Sequence, residues 1–84
     1  MYRYNQSRHR RAYTMQQNIK ITQTQIETLR PYIPNIEKLL QHGTRTEIMI
    51  EINDAEIANL GDNYNETKES RAIHQVYMEI LEQN

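Results

Sequence analysis

Residues 44–61 read TRTEIMIEINDAEIANLG, and whether this run is a helix or a strand decides the fold. Ile48, Ile50 and Ile52 alternate with Glu47, Met49 and Glu51, as they would on a strand with one buried face. Two features oppose that. Thr44 and Glu47 stand three apart, the spacing of a capping box in which each side chain bonds the other's backbone N–H. Gly61 then ends the run after about sixteen residues, long for a strand and ordinary for a helix. Wound as a helix, Ile48, Ile52 and Ala55 share a face, with Met49 and Leu60 beside it. Glu47, Glu51 and Asp54 line another face. The sequence therefore predicts a helix over 45–60. A strand over 46–52 is the alternative, and it would place Glu47 and Glu51 together without Asp54.

The flanking segments carry helical periodicity of their own. Met15, Ile19, Thr22, Ile26 and Leu29 recur at spacings of four and three, the narrow stripe of an amphipathic helix. Thr14 with Gln17 has capping-box spacing, and Pro31 disfavours the α conformation at the residue before it. This predicts a helix over 14–30, although Ile19 and Ile21 about Lys20 also permit a short strand. In RPYIPNIEKLLQHG, Pro34 suits the first position of a helix over 34–42, with Ile36, Leu39 and Leu40 inward and Gly43 as a left-handed stop. A last helix over 66–82 begins at a cap on Asn65 or Thr67. Glu66 and Glu69 then favour its N-terminal dipole, and Ile73, Val76, Tyr77, Ile80 and Leu81 form its apolar stripe. Short loops between these segments suit antiparallel neighbours. The expected fold is all-α: a small bundle of about four helices in a single domain over 14–84, preceded by an arm over 1–13.

Composition limits what such a domain can do. The 84 residues are 37% apolar and include no Phe, Trp or Cys. That removes disulfides, thiolate metal sites and cysteine nucleophiles, and it leaves a core of isoleucine with some Leu, Met and Tyr. A chain of this size buries only about 60–65% of its unfolded surface, too little for a deep enclosed cavity. No apolar run reaches the ~18 residues of a membrane span, and the arginines at the start are not followed by the apolar segment of a secretory signal. The expectation is a cytoplasmic protein with no membrane partner.

The net charge of −1 conceals a strong asymmetry. The opening MYRYNQSRHRRAY has four arginines and three tyrosines and no carboxylate, and the first acid is Glu27. All eleven acids lie in 27–84. Arg8, Arg10 and Arg11 are fitted to phosphate or carboxylate surfaces, and Tyr2, Tyr4 and Tyr13 could anchor the arm or stack on bases. If the five basic groups of 1–26 met phosphates, affinity would fall roughly 500-fold between 50 and 200 mM salt. Glu47, Glu51 and Asp54 form the opposite signal, an acidic face with no lysine interposed along the helix. Like charges at this spacing cost about 0.2–0.5 kcal/mol per pair on a helix, so a basic partner surface would relieve them. The plain alternatives are a solvated helix face and a solubilising terminus.

Catalytic signals are weak. His9, His42 and His74 lie in no HxxxH or HExxH frame, and there is no glycine-rich phosphate cradle. The run DNYNETKE opens like a calcium loop, but it lacks the glycine at position six and the glutamate at position twelve. It reads as a helix-capping loop. No catalytic residue, metal ligand or cofactor is assigned.

The Ile-, Asn- and Gln-rich manner of LRPYIPNIEKLL and HQVYMEILEQN resembles that of small helical proteins of phages and prophages of low-GC Gram-positive bacteria. Such a likeness implies an accessory factor, a structural adaptor, or an inhibitor of host enzymes and defence nucleases. It carries no functional residue across. The expected function is thus a non-enzymatic protein-interaction module. It would bind a host or phage protein through Glu47, Glu51 and Asp54 and through Arg8, Arg10, Arg11, Tyr2, Tyr4 and Tyr13. Nucleic acid bound by the arm is the alternative, and a structural role in a phage particle is a weaker one. The 15–29 stripe could also pair two chains as a homodimer, with Thr22 marking the register.

Overall fold

A computed structural model of the chain describes residues 14–16 and 19–84. The run that decides the fold is helical. In a strand Ile48, Ile50 and Ile52 would share one face, whereas Ile48 and Ile52 are fully buried and Ile50 is 52% exposed. The inward pair stands at i and i+4, the helical repeat. Thr44 Oγ1 accepts from Glu47 N at 3.1 Å, and Glu47 Oε1 accepts from Thr44 N at 2.8 Å, so the capping box forms.

Four α-helices are present among the described residues, α1 (Gln23–Leu29), α2 (Ile36–His42), α3 (Arg45–Ala58) and α4 (Lys68–Gln83), with a 3-10 turn (Asp62–Tyr64) between the last two. Ahead of them, β1 (Thr14–Gln16) pairs antiparallel with β2 (Ile19–Ile21), Met15 opposite Lys20. The molecule is mainly helical, with α3 and α4 packed antiparallel and α1 and β2 laid against α4.

The expected helix over 14–30 is corrected by this hairpin. Ile19 and Ile21 are both fully buried while Lys20 is exposed. Positions two apart on a helix point about 200° apart, so only an extended chain turns both isoleucines inward. The helix begins later, where Thr22 and Gln25 form their own capping box. The 15–29 stripe is consequently split between a strand and a helix, and no continuous helical seam exists there to pair two chains. Pro34 falls just outside α2, whose cap is Asn35. Gly43 is extended, at φ −86°, and not left-handed. The left-handed residues are Asn63 (φ 56°) and Tyr64 (φ 61°), in the turn between α3 and α4. That loop ends at Thr67, which caps α4 by exchanging hydrogen bonds with Ser70. Glu66 therefore precedes the helix and Glu69 lies in its first turn.

The core is built mainly from β-branched side chains of β2 and the four α-helices, with Ile33 from the turn between α1 and α2. Ile19, Ile21, Ile26, Ile33, Ile36, Ile48, Ile52, Ile73 and Ile80 are buried with Leu29, Leu40 and Val76. Each buried side chain of this kind contributes about 1.5–3 kcal/mol. Of the eleven isoleucines only Ile50 and Ile57 remain half exposed.

Two polar side chains are buried with this core, Ser70 in the first turn of α4 and Gln25 in α1. Gln25, 5% exposed, fills all four hydrogen-bonding positions of its amide. Its Nε2 donates to Glu79 Oε1 at 3.0 Å and to Gln83 Oε1 at 2.7 Å. Its Oε1 accepts from Thr22 N at 3.0 Å and from Gln83 Nε2 at 3.1 Å. Beside it, Asn84 completes the outer edge of β2. The Asn84 Oδ1 accepts from Lys20 N at 2.8 Å, and its Nδ2 donates to Lys20 O at 3.1 Å. A side-chain amide thus occupies the place of a third strand. Substituting Gln25→Leu leaves these partners unmatched and should cost about 1–3 kcal/mol, read as a lower midpoint in urea or thermal unfolding.

The hydrogen bond from Gln25, with a second from Gln75, holds the Glu79 carboxyl below its ordinary value of 4.5, against the opposing effect of burial. A carboxyl lowered by folding stabilises the native state above its unfolded pKa, and that contribution is lost as pH falls through the folded value. The stability advantage of the wild type over Glu79→Gln is therefore expected to be largest near neutrality and to shrink below pH 4.5, as followed by thermal melts.

Candidate functional site

The outer surface of α3 carries the acidic face. Its helix is fixed at the start by the Thr44–Glu47 box and along its length by Ile48 and Ile52, which leaves Glu47, Glu51 and Asp54 exposed. These three carboxylates do not stand in equivalent places. One oxygen of Glu47 is engaged by the backbone of Thr44, so only the other projects without a backbone partner. Glu47 and Glu51 line an open groove of about 410 Å³ between α2 and α3. Asp54 lies one turn beyond and is not part of its wall.

The opposite wall of the groove brings residues that sequence reasoning missed. Lys38 and His42 of α2 face the groove, with Leu39 and Gly43 forming its floor. No lysine interrupts the acidic row along α3, but one stands across from it on the neighbouring helix. The groove is consequently two-signed, acid on one side and base on the other. The i, i+4 spacing of Lys38 and His42 on the polar side of α2 was the available signal. His42 also lies in the last turn of α2, where a positive charge is favoured by the helix dipole.

Gly43 is required here by contact. A Cβ at this position would lie 2.8 Å from Leu39 O and 3.0 Å from Leu39 Cδ1. The last turn of α2 thus closes against its own C-cap at a residue without a side chain.

Ion pairs form away from the groove. Arg30 bonds Glu37, Arg71 lies 3.1 Å from Glu66, and His74 Nδ1 lies 3.2 Å from Glu56. The last of these joins α4 to α3, an inter-helix carboxylate–histidine contact that the linear spacing did not reveal. All three are at the surface, where such pairs contribute about 0–1 kcal/mol each. Arg8, Arg10, Arg11, Tyr2, Tyr4 and Tyr13 lie outside the described residues, as does His9. Among the described residues no group of three His, Asp or Glu side chains could hold a metal ion. No helix among them is long and apolar enough to cross a membrane.

Comparison with protein-family models, curated proteins and solved structures finds no match for this chain. The surface must therefore be read from its own chemistry. It offers charged contacts at defined positions on a capped helix and, around the helix from them, exposed Ile50 and Ile57.

Replacing Gly43 with alanine is expected to destabilise the protein by about 1–3 kcal/mol, because a backbone carbonyl must give way to the new methyl group. Urea unfolding measures the loss.

Proposed function

We propose that the protein is a non-enzymatic binding module whose acidic α3 face docks on a basic surface of another protein. The supporting observation is the placement of Glu47 and Glu51 on the wall of an open groove, on a helix held at its cap and core. A partner's basic side chain could lie along these carboxylates, with Asp54 extending the contact, while an acidic group of the same partner meets Lys38 or His42. Carboxylates at helical spacing also imitate a row of phosphates. That favours a nucleic-acid-handling or defence protein as the partner, with this chain as its inhibitor or accessory factor.

The charge of the described domain weighs against nucleic acid as the ligand of this face. Residues 47–84 hold nine acids against Lys68 and Arg71, so phosphates are repelled from it. Arg8, Arg10 and Arg11, with Tyr2, Tyr4 and Tyr13, would add a second contact, to an acidic or phosphate surface.

Affinity capture from nuclease-treated lysate of the source cell tests this reading, using the wild type beside a Glu47→Gln, Glu51→Gln, Asp54→Asn variant. The expected result is a protein partner that survives nuclease and is reduced at least tenfold by the triple variant. Each interfacial charge pair lost should cost on the order of 1 kcal/mol or more. Capture that disappears with nuclease, together with steeply salt-dependent binding of labelled DNA or RNA, would overturn it in favour of nucleic-acid binding by the arm.

A further inference from the structure

The outer face of the α3–α4 pair is apolar where a monomer has no use for it. Ile50 and Ile57 are 52% and 50% exposed on α3, and Met78 and Leu81 are 47% and 50% exposed on α4. Ile50 and Ile57 are seven residues apart, so they stand one above the other, on the side of α3 opposite buried Ile48 and Ile52. Met78 shares the outward side of α4 with Arg71 and Glu82, which are at spacings of seven and four from it. Leu81 lies between the helices, beside Met49.

The arrangement of these residues is symmetric in a way that identifies the occupant. Along α3 the sequence IEINDAEI over 50–57 is nearly palindromic, with its centre between Asn53 and Asp54. Along α4 the charge pair Arg71 and Glu82 has its centre between Val76 and Tyr77. Glu56 touches His74, and Met49 and Leu81 line one small cleft, which fixes the level of the two antiparallel helices relative to each other. At that level the two centres coincide. A single two-fold axis lying across both helices would place Ile50 against Ile57 of a second copy. The same axis would place Asn53 against Asp54 of that copy and Arg71 against its Glu82. Each contact occurs twice, as an isologous interface demands.

We propose that this face is the interface of a homodimer, in which α3 and α4 pack antiparallel on the α3 and α4 of a second copy. Arg71 exchanges its surface contact with Glu66 for one across the interface, and the two Ile50–Ile57 pairs form its apolar part, one on each side of the Asn53–Asp54 contacts. Helices about 21–24 Å long set side by side about 10 Å apart present roughly 600 Å² of accessible surface per copy. The total of about 1,200 Å² is at the lower limit of stable interfaces, so the dimer is a weak, reversible one. Glu47 and Glu51 lie around the helix from this seam and remain open in the dimer, which displays two acidic grooves. The inference does not rest on the partner proposed above, and of that contact's carboxylates Asp54 alone lies in the seam.

Sedimentation of the full chain from about 1 μM to about 1 mM is expected to show a reversible monomer–dimer transition. Ile50→Glu and Ile57→Lys each place a charge against an isoleucine of the other copy at two points of the seam and should weaken the dimer at least tenfold. Both sites are half exposed, so helical circular dichroism and Tm should change little. The I50E/I57K double variant sets opposite charges against each other across the axis and should recover dimerisation to within about tenfold of the wild type. A chain that stays monomeric over the whole range overturns the proposal. So does a dimer indifferent to I57K, or a double variant no better than the singles.

Discussion

The buried amide of Gln25 is the constraint on which the arrangement of the elements depends. An uncharged polar group in an isoleucine core is tolerated only when its hydrogen bonds are complete, and here the partners come from two distant parts of the chain. Thr22 N belongs to the corner where β2 becomes α1, while Glu79 and Gln83 belong to the last turns of α4. Satisfying the amide therefore fixes where the β2–α1 corner and the end of α4 meet. Apolar contacts alone would allow α1 to slide along α4 at small cost. Four directional bonds at 2.7–3.1 Å do not.

The same logic extends to the edge of β2. A two-stranded ribbon is marginal by itself and leaves one row of backbone groups unpaired. Asn84 supplies a donor and an acceptor to Lys20, and Gln83 Nε2 adds a third contact to Lys20 O at 3.1 Å. With Ile19 and Ile21 inserted beneath α4, the ribbon becomes part of the helical core. This explains how a mainly helical domain accommodates a strand at the place where a longer helix would have been simpler.

Much of this was legible in the sequence, and the failures have identifiable causes. α3 was readable because two independent signals, Thr44 with Glu47 and the length of the run, outweighed the alternation of three isoleucines. α4 was readable because its apolar stripe is broad. The 14–30 helix failed because Thr22, Ile26 and Leu29 truly are helical neighbours of a cap. Extending their spacing backwards to Met15 and Ile19 used a coincidence of period, and Ile21 was the residue that did not fit. Gly43 was rightly seen as the end of α2 but for the wrong reason, since close approach to Leu39 and not a positive φ demands glycine there. Of the site, the acidic row was visible along one helix. Lys38 and His42 were not, because pairing them with Glu47 and Glu51 requires knowing that α2 and α3 share a groove.

The distribution of isoleucine connects the fold to what it can do. Nine isoleucines are buried, which for a chain of this size is most of the available driving force, yet Ile50 and Ile57 are left out together on one side of one helix. Random leakage of apolar residues to a surface would scatter them. Here they stand seven apart, with Met78 outward on the adjoining helix, while Glu47 and Glu51 occupy a different sector of α3. One fourteen-residue helix thus presents three surfaces: a core stripe, an apolar outer stripe and a charged wall. A helix that served only to complete the monomer core would need the first alone. The other two are the features that association, with a copy or with a partner, can use, and the isoleucine stripe and the Glu47–Glu51 wall are far enough apart around the helix to be used at once.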